Sequence, residues 1–312
     1  MGEEGLYASV IAALAAGDAL GYLVERRWPR PRDRWFSSLS EYLDWAGYGG
    51  GEIMYSDDTE MAIFLAETLI EACGFDPELF IRKAADRAML WERYYGGTAA
   101  VIEAVREGTH WSVAARSVFG GEGNMGNGAA MRVAPIALFY RRKEEVEYFA
   151  EAQAVVTHTH PVAIEGARLV ALAIHYSLNG LGPEEVLEAL IEDTQHPHYL
   201  GKLRAIKHLL SASPTRVARV LGNSGRANES VPTAIYAHIR GDGEPLKTLL
   251  TALSLGGDTD TIAAMATPIS AAHTHGLGNI PEEIVSRIES INYIRTLGEE
   301  LYKASNKCRT NN

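Results

Sequence analysis

The sequence has only two cysteines, Cys73 and Cys308, and they lie far apart without a spacing that marks partners. We therefore expect neither a disulfide framework nor a thiolate metal site. A chain with unpaired thiols suits a reducing compartment, so we predict a cytoplasmic location.

Long uninterrupted apolar stretches are also missing. No run approaches the roughly 20 residues that a transmembrane helix requires, which argues against a membrane partner. The chain begins with Glu3 and Glu4 where a signal peptide would carry basic residues, and the apolar segment that follows continues into Gly17 and Asp18 without a cleavage site. We interpret this first segment as a core helix.

Positive charge is scarce, since the formal net charge is -11. Nucleic acid is therefore not expected as a general partner, because such binding depends on Lys and Arg neutralising phosphates. The basic stretch at residues 26–34 contains Pro29 and Pro31 and predicts an exposed loop, so a local basic groove stays open. An anionic ligand would need bound cations or oriented backbone N–H groups at its site.

Helical periodicity is abundant. Apolar residues recur at three- and four-residue spacing, whereas the alternation typical of strands is hard to find. For the 312 residues we predict an all-α fold, a single compact multi-helix domain over residues 1–305 and a disordered tail at 306–312. The clearest helical segments are 6–24, 61–73, 144–156, 163–178, 183–191, 203–210 and 284–302.

Two acidic clusters stand directly before apolar helical runs. They comprise Ser56, Asp57 and Asp58 in the first cluster and Asp258, Asp260 and Thr261 in the second. Helix capping and the helix dipole explain either cluster alone, because hydroxyls and acids favour a first turn. Together, however, they would place several carboxylates inside a helical bundle, which is expensive without compensation.

Convergence of the two clusters on cations is the least costly resolution. All candidate ligands are oxygen atoms, which favour magnesium, manganese or calcium over zinc. The number of ligands is enough for two metals at the usual separation of about 3.5–4 Å. We therefore predict an oxygen-only metal centre.

Five motifs resemble the ADP-ribosylglycohydrolase family, which includes the dinitrogenase-reductase-activating glycohydrolases. In order they are GDALGYLVE at 17–25, SDDTEM at 56–61, GNGAAMRVAP at 126–135, THTHP at 157–161 and LGGDTDTIAAMA at 255–266. The resemblance spans most of the chain, and it implies an all-α fold with a central cleft that holds two divalent cations, magnesium or manganese. By motif match the metal ligands would be the six residues of the two acidic clusters.

The resemblance also implies which groups perform the chemistry. Glu25 ends the first motif where relatives place an acid near the metals or the scissile bond, although a surface carboxylate at a helix end is the alternative. Either Glu25 or Asp57 is expected to act as general base, and the sequence does not choose between them.

The substrate pocket is expected to involve glycine-rich loops and one histidine. The segment Gly126, Asn127 and Gly128 precedes a helix predicted at 129–140, which would aim backbone N–H groups and a positive dipole end at a diphosphate. Gly97 belongs to a weaker second phosphate loop. For His158 we favour a role in the ligand pocket over metal ligation or a purely structural hydrogen bond.

Two departures from the family pattern stand out. Ser56 occupies a position where many relatives have Thr, and because both offer a hydroxyl oxygen the ligand assignment hardly changes. Pro268 lies inside a helical pattern after the last motif, and we expect it to kink or restart that helix.

The function that the resemblance implies is metal-dependent hydrolysis of the glycosidic bond between ADP-ribose and an acceptor, either a protein side chain or a small ADP-ribosyl conjugate, with ADP-ribose as product. A non-catalytic ADP-ribose-binding protein of the same fold is the alternative. Helical prenyl-diphosphate enzymes also use acidic clusters with magnesium, but they need acids one helical turn apart, and neither cluster continues that way. The acceptor and the oligomeric state are left open.

Overall fold

The computed structural model describes residues 2–25, 27, 29–194 and 196–309, and within them it contains α-helices and no strand. Isolated bridges join Ile53 to Ile288 and Gly126 to Arg226, and a 3-10 turn covers Val118–Gly121. The all-α prediction is confirmed. The helices are α1 (Glu3–Glu25), α2 (Leu39–Ala46), α3 (Asp57–Ala72), α4 (Pro77–Arg87), α5 (Leu90–Arg93), α6 (Gly96–Arg106), α7 (Trp111–Ser117), α8 (Gly128–Met131), α9 (Ala134–Phe139), α10 (Lys143–Ala154), α11 (Pro161–Leu178), α12 (Pro183–Asp193), α13 (Pro197–Leu209), α14 (Pro214–Leu221), α15 (Ala227–Arg240), α16 (Pro245–Ser254), α17 (Thr259–Thr274), α18 (Glu282–Val285) and α19 (Ile291–Arg309).

Helix α1 lies in the centre of the domain and packs mainly against α17 and α19. Contrary to the expectation that no apolar run is long enough, it could cross a membrane by length and composition, but 83% of its apolar window is buried inside the protein. It is therefore the core helix that the sequence predicts.

The backbones of α1 and α17 touch where α1 has Gly17 and Gly21. A Cβ atom at Gly21 would lie 2.3 Å from the Cα of Asp260, and one at Gly17 would lie 2.3 Å from the carbonyl oxygen of Ala263. Such distances exclude any side chain at either glycine. The close approach brings the acidic end of α1 beside the start of α17.

Most predicted helical segments fall on observed helices. The segments at 6–24, 144–156, 163–178 and 183–191 match α1, α10, α11 and α12 to within about three residues at each end, the usual precision of a boundary. The segments at 61–73 and 203–210 match the later parts of α3 and α13. Apolar periodicity therefore located these helices, but it did not detect the first residues of α3 and α13.

Two predicted helices are broken in the structure. The segment at 284–302 divides into α18 and α19, because Ile53 pairs with this region, donating to the Arg287 carbonyl and accepting from the Glu289 N–H. The helix predicted at 129–140 divides into α8 and α9. Pro135 stands in the first turn of α9, where its missing N–H is tolerated, and this ends α8 after four residues.

Two expectations about the C-terminal third need correction. Helix α17 is continuous from Thr259 to Thr274 with Pro268 inside it, so the proline does not restart the helix. The helix is buried along most of its length, and this packing offsets the backbone hydrogen bond that proline removes. Helix α19 continues to Arg309, so residues 306–309 are helical instead of disordered, while 310–312 lie outside the described residues.

The expectation of no disulfide was wrong. Cys73, which follows α3, is joined to Cys308 near the end of α19, with their Cα atoms 5.5 Å apart. The two cysteines are 235 residues apart, and only the packing of α19 against α3 brings them together. No local spacing pattern announces such a pair.

Candidate active site

A cavity of about 440 Å³ opens where α1, α3, α6, α8 and α17 meet. It brings together residues that the sequence predicted from five separate motifs. The predicted site residues in its lining are Glu25, Asp57, Asp58, Gly97, Gly126, Asn127, Gly128, His158, Asp258, Asp260 and Thr261. Ser56 is buried, is absent from the described lining, and caps α3 by accepting the Asp58 N–H at 3.2 Å.

The two acidic clusters converge on one point. Thr261 Oγ1 donates to Asp58 Oδ1 across 3.5 Å, although the two residues are 203 positions apart. Carboxylate oxygens of Glu25, Asp258 and Asp260 all lie within 4.8 Å of one another. Oxygen atoms from both clusters therefore lie together. We call the carboxylates of the cavity lining the carboxylate cluster, and they belong to Glu25, Asp57, Asp58, Asp258 and Asp260.

The donor set fits a hard divalent cation. Every converging ligand atom is an oxygen, and Asp58 Oδ2 is buried without a hydrogen-bond partner among the described residues. A buried carboxylate oxygen without a partner costs free energy unless a cation or a proton compensates it. A hard divalent cation would supply that compensation, since such ions prefer oxygen ligands.

Asp18 positions the first acidic cluster from α1. Its fully buried carboxylate accepts the backbone N–H groups of Ser56 at 3.0 Å and Thr59 at 2.9 Å, together with the Thr59 hydroxyl at 2.5 Å. An acid at the N-terminus of a helix satisfies free N–H groups and stabilises the helix dipole. Asp18 thereby fixes where Asp57 and Asp58 stand relative to α1.

Crowding of buried carboxylates raises their pKa values. Burial raises the pKa of Asp58 well above its usual range, and the charges of Asp18 and Asp260 add to this. Burial also raises the pKa of Asp57 strongly, followed by repulsion from Asp18. The pKa of Asp260 is likewise raised by burial and then by Asp258. Without a cation these groups resist ionisation.

Asn127 supports Asp258, one of the predicted metal ligands, as well as the pocket wall. Its Nδ2 donates to Asp258 Oδ2 at 2.5 Å and to Ser230 Oγ at 3.0 Å, and its backbone N–H donates to the Gly225 carbonyl at 3.0 Å. A ligand carboxylate that is held in this way keeps its orientation. Its side chain therefore orients Asp258, a role in addition to the place in the substrate pocket that the resemblance implies.

His158 is a neutral hydrogen-bonding group in the cavity wall. The Asn124 amide oxygen accepts the Gly126 N–H at 2.9 Å, which directs Asn124 Nδ2 toward His158 Nε2 at 3.0 Å. Because Nε2 accepts, the proton belongs on Nδ1, which donates to Thr157 Oγ1 at 2.7 Å. Burial and then the charge of Arg132 hold the pKa of His158 well below its usual range.

Arg132 holds the hydrogen-bonded residues around His158 in place from the protein interior. It is fully buried and donates from Nε to Gln153 Oε1 at 2.8 Å and from Nη2 to Thr157 Oγ1 at 2.9 Å. Burial lowers the pKa of Arg132 to about 9, so it still carries its charge at neutral pH. The guanidinium thus fixes Thr157 and, through it, the ring of His158.

Aromatic side chains flank the mouth of the cavity. Tyr95 and Phe119 are 63% and 60% exposed, and both belong to the lining. Phe119 has a backbone φ of 54°, which is rare for a bulky residue and marks a conformation that the surrounding structure enforces. Between them Gly96 and Gly97 begin α6, an eleven-residue helix whose N-terminus faces the cavity.

A family model described as ADP-ribosylglycohydrolase matches residues 5–311 of this chain. The chain belongs to the ADP-ribosylglycohydrolase family. The resemblance drawn from the five motifs is thereby confirmed, and the protein is a glycosidic-bond hydrolase.

Similar proteins cover nearly the whole of this ADP-ribosylglycohydrolase. ADP-ribosylhydrolase ARH3 of Danio rerio is 32% identical over 325 residues, 92% of this chain and 87% of the relative, and the Homo sapiens protein is 34% identical over 291 residues, 82% and 80%. An uncharacterised Archaeoglobus fulgidus protein is 33% identical over 313 residues, 96% and 97%. A solved ADP-ribosylglycohydrolase-related protein complex matches with a TM-score of 0.76 and 26% identity, covering 97% of this chain and 99% of that one.

Sequence reasoning about this ADP-ribosylglycohydrolase missed several residues around the cavity. Asp18 carried a usable signal, because an acid inside an otherwise apolar core helix needs a partner. Asn124 and Phe119 gave no comparable signal, since their roles depend on a hydrogen bond across 34 residues and on surface exposure.

We expect the metal-free protein to lose stability as the pH rises. The carboxyls of Asp57, Asp58 and Asp260 have raised pKa values, so below the unfolded value of about 4 their contribution is fully present, and it is lost as the pH rises through the folded values. A cation replaces those protons, so the increase in Tm that Mg²⁺ or Mn²⁺ causes should grow between about pH 5 and pH 8. Thermal unfolding with metal and with EDTA measures this, and a metal-induced shift that is constant across that range contradicts it.

Gly128→Ala should weaken substrate binding. An added Cβ would lie 2.8 Å from His158 Cε1, so either the ring or the loop must move. We expect KM to rise by about tenfold, which corresponds to roughly 1.4 kcal/mol, while the metal-induced shift in Tm persists. Gly201→Ala is the control, because its Cβ would meet nothing within 4 Å on α13. An unchanged KM in the Gly128 variant refutes the prediction.

Proposed function

We propose that this protein hydrolyses the glycosidic bond between ADP-ribose and an acceptor and releases ADP-ribose. The observation that carries the proposal is one cavity of about 440 Å³ whose lining combines five carboxylates with amide and aromatic side chains. Its volume lies in the range of small-molecule sites. The relatives called ADP-ribosylhydrolase ARH3 support the same substrate.

The proposed cofactors are two divalent cations, magnesium or manganese. Their ligands would be Ser56, Asp57 and Asp58 from the start of α3 with Asp258, Asp260 and Thr261 from the start of α17. Bound cations supply polarisation of ribose hydroxyls and a lowered pKa for water. The unpartnered oxygen of Asp58 and the absence of sulfur or imidazole ligands in the described cluster support hard cations.

The carboxylates would also stabilise positive charge at the anomeric carbon, which develops when a glycosidic bond breaks. Glu25 and Asp57 both line the cavity, and both are candidates for the general base that takes the proton from water. Glu25 lies within 4.8 Å of Asp258 and Asp260 and is only half-buried, which favours it for proton transfer with the bulk solvent.

The rest of ADP-ribose would extend toward α6 and α8. The first turn of α6, with Gly97, offers backbone N–H groups and the positive end of an eleven-residue helix to the diphosphate. Gly128 begins a helix of only four residues, so its amides contribute hydrogen bonds and little dipole. Tyr95 and Phe119 present exposed rings in the lining, on which a purine would stack.

Release of free ADP-ribose tests the proposal. An ADP-ribosylated protein and a small ADP-ribosyl conjugate are incubated with the enzyme and Mg²⁺, Mn²⁺ or EDTA, and the product is quantified. We expect turnover with metal and none with EDTA. Tight ADP-ribose binding without release under every condition favours the non-catalytic binding protein instead.

The proposed partners are ADP-ribosylated proteins or small ADP-ribosyl conjugates. A cytoplasmic location is also proposed, although the disulfide of Cys73 and Cys308 removes one of its supports, because paired cysteines persist mainly in oxidising compartments. Fractionation of the native cell tests the location.

A further inference from the structure

The loop that follows α1 forms a concentrated basic surface on an acidic protein. Arg27, Arg30, Arg32 and Arg34 line a cavity of about 680 Å³ together with Trp45, and Asp33 also contributes to the lining. The chain as a whole has a formal net charge of -11. Four arginines against one aspartate in the lining give this surface a local excess of positive charge, which favours the binding of anions.

This arginine cavity lies next to the carboxylate cluster of the active site. The loop leaves directly from Glu25, and the Pro29 carbonyl accepts the Gly257 N–H at 2.8 Å, one residue before Asp258. The Arg32 N–H donates to the Ser254 carbonyl at 3.1 Å. The loop is thus fastened to the segment that leads into α17. The loop begins where α1 ends at Glu25. The residues assigned to the diphosphate and the purine belong to other elements, namely α6, α8 and the 3-10 turn.

The arginines are arranged to receive carboxylates. Glu41 accepts from Arg32 Nη2 at 3.2 Å and lies 3.8 Å from Arg34 Nη2, so one carboxylate already binds within the group. Arg27 is held by the Ala46 carbonyl at 2.6 Å, which fixes its charge on the cavity wall. The side chain of Arg34 is 81% exposed and Arg30 is exposed as well. These two guanidinium groups offer planar, paired donors to an incoming anion.

We propose that the arginine cavity binds acidic side chains that flank the ADP-ribosylated residue of a polypeptide acceptor. The inference rests on the proposed function, since it assigns the acceptor side of the same site. An acidic peptide suits the observations better than a nucleic-acid strand. The acidic remainder of the protein would repel an extended phosphate backbone, whereas one or two carboxylates match a local group of arginines of which two already bind Glu41.

Matched peptides test the proposal. Two ADP-ribosylated peptides share one linkage and differ only in having Asp and Glu or Asn and Gln around it, and a small ADP-ribosyl conjugate has no peptide. We expect kcat/KM for the acidic peptide to exceed that for the neutral one by about tenfold at low salt, mainly through KM, and the ratio to fall as salt is added. Arg30→Ala with Arg34→Ala should remove this preference without changing turnover of the other two substrates.

The control removes two exposed arginines elsewhere, Arg82→Ala on α4 and Arg142→Ala before α10, and should retain the preference. Equal kcat/KM values for the two peptides with the unaltered enzyme overturn the proposal. So does a loss in the Arg30 and Arg34 variant that extends to the small conjugate. Faster turnover of an ADP-ribosylated oligonucleotide than of the acidic peptide also overturns it and assigns the cavity to phosphates. If the enzyme hydrolyses none of these substrates, the proposed function itself is refuted.

Discussion

Asp260→Asn should abolish hydrolysis and, at the same time, stabilise the metal-free protein. Asp260 is 4% exposed and stands beside Asp258 and Glu25, so its charge is costly when no cation is present. Loss of this proposed metal ligand is expected to lower kcat by more than about 100-fold. Removal of one negative charge from the cluster relieves repulsion, and at pH 8 we expect the Tm in EDTA to rise by about 2 °C or more.

The two readouts together separate a functional acid from a structural one. Turnover is measured with saturating Mg²⁺ or Mn²⁺, and Tm by calorimetry in EDTA and in metal. Asp86→Asn, at an exposed aspartate on α4, is the matched control and should change neither quantity. Full turnover by the Asp260 variant would show that Asp260 is not an essential metal ligand. A fall in its Tm in EDTA would show that its charge does not destabilise the metal-free protein.

The second large effect concerns the disulfide. Replacing Cys73 and Cys308 by serine should lower the free energy of unfolding by about 2–5 kcal/mol, because the cross-link restrains a chain segment of 235 residues in the unfolded state. Turnover should persist, since Cys73 follows the C-terminal end of α3 whereas Asp57 begins this sixteen-residue helix, about 24 Å away. Chemical denaturation and kcat measure the two quantities.

Reduced and alkylated wild-type protein serves as the comparison for the double serine variant, because it removes the same cross-link without changing the sequence. Both should unfold at lower denaturant concentration than the oxidised protein and with similar m-values. Equal stability of oxidised and reduced protein would mean that the bridge restrains nothing that the packing of α19 on α3 does not already restrain.

The sequence predicted the scaffold where one face of a helix is apolar and failed where long-range pairing or backbone chemistry intervenes. Helix α1 followed directly from its apolar residues. The break between α18 and α19 did not, because it depends on Ile53, which lies more than two hundred residues earlier and pairs with the connecting segment. Pro268 was expected to interrupt α17, but propensity yields to packing in a helix this deeply buried.

The candidate site was predictable as far as composition and motifs reach. The sequence indicated a site at the acidic clusters around Asp57 and Asp258, because carboxylates at the start of apolar helices require an explanation. The hydrogen bonds that orient the wall were not predictable, since Arg132, Thr157 and Asn124 acquire their roles only after α8 and α10 have packed. The disulfide escaped for the same reason.

The direct contact of α1 with α17 has a consequence for the order in which the protein folds. Asp18 and Glu25 come from the first twenty-five residues, whereas Asp258 and Asp260 come from the last fifth of the chain. The carboxylate cluster is therefore not assembled until α1 has packed against α17 at Gly17 and Gly21. Contacts of such long sequence separation form slowly, so high-affinity metal uptake should be a late event that reports completed folding.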